Sequence, residues 1–196
     1  MPEKARAIPN PFYPMDSNQM TIERITPTEA EAATINELMN AKFPGTVSSI
    51  AGKLGMTEIE AARRLPADRV SFVTGDMNER FDDLWAALAA WEKATLFITH
   101  EGHVFEIAAK LSTGKRAMGY YNILAKDAVV GGHLAYEKIK AAAFVTMPFM
   151  GRESLSVLFF DAEGRVSFSV YAGRENHQII ESVKTAFFAD REKFCA

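Results

Sequence analysis

The stretch GYYNILAKDAVVGGHLAYEKIKAAAFVTMPFMGRESLSVLFF, residues 119–160, decides the fold. Its apolar and β-branched residues run in short blocks broken by Gly131-Gly132 and by Pro148, the spacing of consecutive antiparallel strands rather than of helices. On the strand opening at Gly119, alternation sends Tyr120, Asn122 and Leu124 to one side and Tyr121 and Ile123 to the other. The two tyrosines therefore cannot share a task. Further on, Arg152 and Glu153 stand where the chain turns between two apolar strands, so they solvate a loop, the plainer reading, or aim a cation into a pocket.

Working outward, Leu155, Val157 and Phe159 are matched in kind by Val166, Phe168 and Val170 across the turn Asp161-Ala162-Glu163-Gly164. The other side of that hairpin carries Ser167, Ser169 and Tyr171. Gly173 ends the strand, and NHQIIESVKTAFFADREKF reads as a closing helix with Ile179, Ile180, Val183, Ala186 and Phe187 inward and His177 exposed in its first turn. Upstream, Thr95 to His100 and His103 to Leu111 flank Glu101-Gly102, a two-residue hairpin loop. That turn sets His100 opposite His103, Ile98 opposite Phe105 and Leu96 opposite Ile107. Two facing imidazoles suit a metal clasp, or one of them an iron. A wet pair at a hairpin tip is the plainer reading, because no carboxylate or cysteine accompanies them at ligand spacing. In the STGKR turn, Gly114 permits a positive backbone angle, but the glycine pattern and following helix of a phosphate-binding loop are missing.

Before the strands come helices. Thr26-Pro27-Thr28-Glu29 predicts a helix from Pro27 to about Lys42, with Thr26 as cap and Phe43-Pro44-Gly45 as stop. Two short helices split at Gly55 follow, the second opened by the capping box Thr57 to Glu60 and closed before Pro66. The pair imitates a DNA-reading helix-turn-helix, but Glu58 and Glu60 occupy the turn where base contacts are made, and acids there repel phosphates. A strand at Val70 to Thr74 leads to a helix from about Glu79 to Glu92. Phe81, Leu84, Trp85, Leu88 and Trp91 share one face of it, a core stripe rather than the wall of a cofactor pocket. Residues 1–25, with four prolines and no period, read as a flexible lead-in, and 26–196 as a single domain. The class is α+β, a meandering antiparallel sheet with helices packed on one face.

With 196 residues, 48% of them hydrophobic and 24% charged, the chain can bury a substantial core. A formal charge of −3 supplies no field for nucleic acid or an anionic membrane. The single cysteine, Cys195, leaves no disulfide framework, which suits a reducing cytoplasm, and neither a signal peptide nor a membrane span is expected. No nucleophile elbow or paired-carboxylate set stands out, so the residues alone support an α+β domain with a His/Tyr ligand site.

The segments GYYNI, GGH and PFMGRES, with the downstream SVLFFDAEG and GRENH, resemble the cytosolic haem-utilization carriers of the HutX/ChuX type from about Val47 to Ala189. The resemblance implies a cargo of ferric haem carried from an uptake system to a degrading or storing protein. The family pattern G-Y-F-N-[LI] falls on Gly119 to Ile123, making Tyr120 the implied axial ligand of the haem iron; the departure is Tyr121 in place of Phe. The family's G-H falls on Gly132-His133, so His133 is the alternative axial ligand, and His100 and His103 follow. Asn122 becomes a nearby donor favouring the phenolate, and Arg152 a propionate or structural partner. The relatives of HemS/ChuS type resemble two tandem copies of such a unit, which implies that this chain pairs with itself as a homodimer. A haem-degrading enzyme of that type is the runner-up function, and a helix-turn-helix DNA-binding regulator the third.

Overall fold

The computed structural model describes residues 22–196 apart from Lys42, Pro44 and Met150. Its centre is an antiparallel six-stranded sheet, ordered β1 (Val70–Phe72), β7 (Ala141–Phe149), β8 (Arg152–Phe160), β9 (Val166–Ala172), β2 (Ala94–His100) and β3 (His103–Ala109). The middle strands are buried on both faces. Phe144, Leu155, Val157, Phe159 and Val170 pack under α4 (Met77–Ala90) and α5 (Glu181–Cys195). The intervening residues Ala143, Val145, Leu158 and Phe160 pack under α1 (Glu29–Asn40), α2 (Val47–Leu54) and α3 (Glu58–Arg64). The α+β class and the meander β7–β8–β9 are as expected, but the helices divide between the two faces instead of covering one. Apolar side chains at consecutive positions along β7 and β8 leave no wettable side, so both faces need a lid.

A second sheet of three strands, β4 (Lys115–Ala117), β5 (Tyr120–Ile123) and β6 (Gly132–Leu134), lies against the first core through Tyr121 and Ile123. Phe81 of α4 joins the two sheets. Its ring centroid is 5.5 Å from Tyr121, 6.1 Å from Trp85 and 6.1 Å from Phe159. The tryptophans are core residues with satisfied indoles: Trp85 Nε1 donates to the Ser112 carbonyl at 3.0 Å and Trp91 Nε1 to Asp190 at 2.8 Å.

Several local expectations shift. The first helix is capped by Thr28 with Glu31, not by Thr26, because the Thr28 side chain accepts from Glu31 N–H and Glu31 reaches back to Thr28 N–H. The expected end at Lys42 and part of the stop at Pro44 lie outside the described residues, as does most of the 1–25 lead-in. Its last part is bonded to the domain: Ile25 N–H donates to the Arg63 carbonyl and Arg24 to the Val70 carbonyl. Pro148 does not break a strand. It lies within β7 opposite Glu153, past Val145 where the pairing with β1 ends, so its missing N–H deprives no neighbour. A register shift at Phe159/Phe160 places Val166 opposite Phe160, on the second face. The segment opening at Arg174 is not helical: β10 (Arg174–Glu175) and β11 (Gln178–Ile179) form a tight hairpin around Asn176 and His177, both at positive φ, and α5 starts only at Glu181.

The α2–α3 pair turns at Gly55 (φ 66°), and α3 carries the expected capping box of Thr57 and Glu60. Its first turn is docked on the β8–β9 turn. Ile59 N–H donates to the Gly164 carbonyl at 2.9 Å, and the Glu58 carboxylate accepts from Val166 N–H and the Ser48 hydroxyl. A Cβ on Gly164 would meet Ile59 at 2.6 Å. The end of the helix that would read DNA is thus covered by the protein itself.

Candidate functional site

The small sheet presents the Tyr/Asn/His group. Met118 (φ 54°) and Gly119 (φ 78°) make the tight turn between β4 and β5. From there the pleat turns Tyr121 and Ile123 inward and Tyr120 and Asn122 outward, as alternation requires. Tyr121 is 3% exposed, and its hydroxyl accepts the Gly114 N–H at 2.7 Å. Burial pushes its phenol pKa up from the ordinary value, partly offset by that bond. Gly114 serves here by close approach rather than by a positive φ, since a Cβ would lie 2.5 Å from the Asn122 carbonyl and 2.6 Å from the Tyr121 ring. Tyr121 is thereby fixed as a structural residue.

On the outer side, Tyr120 is 44% exposed, and its ring lies 6.0 Å from the His133 ring, edge to face. Asn122 stands opposite His133 in the β5–β6 register, and its Oδ1 is 2.6 Å from His133 Nδ1. The Asn122 Nδ2 donates to the carbonyls of Ala117, Tyr120 and Lys115 at 2.9, 3.0 and 3.2 Å. Both amide hydrogens are committed to the backbone, so Asn122 holds the histidine and has no hydrogen left for a Tyr120 phenolate. Met118 in the β4–β5 turn, and Leu124 and Val129 in the 124–131 connection, expose large apolar side chains. The Asn122–His133 bond was not legible in sequence because the long 124–131 connection leaves the β5–β6 register unset.

The other candidates lie apart. His100 faces His103, Ile98 faces Phe105 and Leu96 faces Ile107, as the turn dictates. That pair is exposed at the tip of the edge hairpin, and among the described residues no hydrogen bond or ring contact joins it to Tyr120 or His133. Arg152 opens β8 and donates to the His177 carbonyl at 3.2 Å, where Arg174 also donates at 3.0 Å. Burial, and then the like charge of Arg152, lower the Arg174 pKa. Both arginines thereby contact the β10–β11 turn. Glu153 is paired with Lys184 of α5. Two concavities, about 340 Å³ beside Arg24, Ile35 and Arg64 and about 450 Å³ beside Ser71, Phe188 and Cys195, lie away from the small sheet.

Residues 75–189 match the family model described as haem utilisation ChuX/HutX. The chain is 32% identical over 171 residues to the intracellular heme transport protein HutX of Vibrio cholerae, with 87% of each chain covered. A solved structure of the heme-binding protein ChuX superimposes with a TM-score of 0.70 at 25% identity, over 81% of this chain and 97% of that one. PhuS of Pseudomonas aeruginosa, a heme-binding protein, shares the fold at a TM-score of 0.68 and 17% identity; 88% of this chain covers 49% of PhuS. The chain belongs to the ChuX/HutX haem-utilisation family.

Proposed function

We propose that the protein binds haem on the outer face of the small sheet and carries it, inside the cell, to a haem-degrading or haem-storing partner. The observation that carries this reading is the exposed Tyr120, whose ring is in edge contact with that of His133, within a family named for haem utilisation. The donor set fits the group. Phenolate and imidazole are both haem ligands, and Met118, Leu124 and Val129 supply apolar surface for a porphyrin edge. Bound haem would supply an iron centre that takes an oxygen or nitrogen donor. Tyr120 would offer its oxygen after losing a proton, which its exposure lets pass directly to water. A free phenol has a pKa of about 10, so ferric iron, with its higher charge, favours the phenolate more than ferrous iron does.

Two rings in edge contact leave no room for a porphyrin between them. Tyr120 and His133 would therefore serve as alternative donors to the iron, a set suited to handing a ligand on. The HutX relative is named as an intracellular transport protein, which supports a cytoplasmic site of action and carriage rather than turnover. Titration with hemin followed by absorbance should give saturable binding with a ferric Soret band, and a featureless titration would refute the proposal. Adding reductant and oxygen should leave the porphyrin intact; loss of the Soret band with release of iron would install the degrading enzyme instead.

A homodimer completes the proposal. This chain matches about half the length of PhuS, and β3 is an open sheet edge on which Val104 and Phe105 are 57% and 55% exposed. Light scattering at micromolar concentration should return twice the 21.7 kDa chain mass, and a monomer mass would exclude the pairing.

A further inference from the structure

We propose that Asn122 is the positioning residue of this face: it locks neutral His133 in the form protonated on Nδ1, so that Nε2 stands as a bare lone pair beside Tyr120. The orientation of the Asn122 amide is set by its surroundings. Three backbone carbonyls, of Ala117, Tyr120 and Lys115, converge on one terminal atom at 2.9 to 3.2 Å. An amide oxygen there would face three acceptors and no donor, so that atom is the NH2 nitrogen. The remaining atom, Oδ1, is 2.6 Å from His133 Nδ1. It carries no hydrogen, so the proton of this bond belongs to Nδ1. A neutral imidazole has one N–H, and Nε2 is left as the acceptor.

The consequence for ligand binding rests on the haem reading. A histidine held through one ring nitrogen by a fixed acceptor is the usual arrangement for metal ligation through the other, and losing the holding group costs typically about tenfold to a hundredfold in metal affinity. Here the holding group is itself bonded across the β4–β5 turn and along β5, so Tyr120, Asn122 and His133 are one unit. Residues chosen only for haem contact would not need the amide to span three carbonyls.

Nitrogen-15 spectra of histidine-labelled, haem-free protein at about pH 8.5, where a free imidazole is neutral, test the assignment directly. His133 should show its proton on Nδ1, and Asn122→Ala should move it towards the Nε2–H form. His100, His103 and His177 should keep their signals in the variant and report an intact fold. An Nε2–H form of His133 in the native protein overturns the proposal without any variant, and so does an unchanged form in a folded Asn122→Ala protein. A second arm reads the donor role. In a Tyr120→Phe background, Asn122→Ala should weaken hemin binding about tenfold to a hundredfold. Equal affinities, in a protein whose native form binds hemin, overturn the donor role. Failure of the native protein to bind hemin sinks the haem reading instead, while the nitrogen signals still decide the form of His133.

Discussion

In the six-stranded sheet, β7 and β8 are covered on both faces, Phe144, Val157 and Phe159 under α4 and α5, and Val145, Leu158 and Phe160 under α1 to α3. In the three-stranded sheet, β5 buries Tyr121 and Ile123 and leaves Tyr120 exposed on the other side. The middle strands of the large sheet spend both faces on packing. The small one uses a single face for packing and so has a second face free for chemistry. Two adjacent tyrosines show the difference: Tyr121 is a buried hydrogen-bond acceptor for Gly114, and its neighbour lies beside His133 in water. Ranked by their effect on stability, three substitutions probe whether the division is real.

Phe81→Ala should have the largest effect. The side chain is fully buried between the sheets, touching Tyr121 and Tyr136 on one side and Phe159 on the other. Its removal should cost about 3–5 kcal/mol in urea unfolding. Because both sheets share this core, tryptophan fluorescence and circular dichroism should report one coincident transition. Two separated transitions would mean that the small sheet is an independent unit and the comparison is drawn in the wrong place.

Much of this division was legible in the chain, and the misses have physical causes. Period-two alternation placed Tyr120 and Tyr121 on opposite faces, and the Glu101-Gly102 loop fixed His100 against His103, because both depend only on local geometry. The Asn176-His177 turn was hidden because it takes two positive φ values without a glycine, which leaves NHQII looking like a helix start. Helices on both faces were signalled by AAAFV and VLFF, where apolar residues stand at successive positions, a pattern of double-sided burial rather than of alternation. The pairing of Asn122 with His133 had no local signal, since it is set by where β6 returns to β5.

Tyr121→Phe should have an intermediate effect. It removes the hydroxyl that accepts the Gly114 N–H and leaves that donor unpaired in a part-buried turn, for a loss of about 1–2 kcal/mol. The pH dependence has a definite sign. Burial holds the Tyr121 phenol above its ordinary value, so the unfolded chain ionises first, near pH 10. The stabilisation is fully present below that pH and is lost as the pH rises towards and through the raised folded value. The Phe variant should lack this alkaline loss, seen as a flatter midpoint-against-pH curve, and should bind hemin as the native protein does.

Tyr120→Phe should have the smallest effect on stability and the largest on hemin binding. Its ring is half in solvent and its hydroxyl serves no described part of the fold, so the unfolding midpoint should move by no more than about 0.5 kcal/mol. The substitution keeps the ring, hence the edge contact with His133, and removes only the donor oxygen. Hemin affinity should fall by more than about tenfold, the lower bound for losing even a hydrogen-bond partner of a ligand. The phenolate charge-transfer band of the ferric spectrum should vanish, leaving a spectrum of imidazole type from His133. If the native spectrum instead survives in Tyr120→Phe and is lost in His133→Ala, the donors exchange roles: His133 is the resident ligand and Tyr120 its neighbour. The open face of the small sheet would stand under either outcome, because both side chains project from it. Only unchanged binding in the double variant would move the site elsewhere, and the exposed His100/His103 pair on the edge hairpin would then be the next donors to remove.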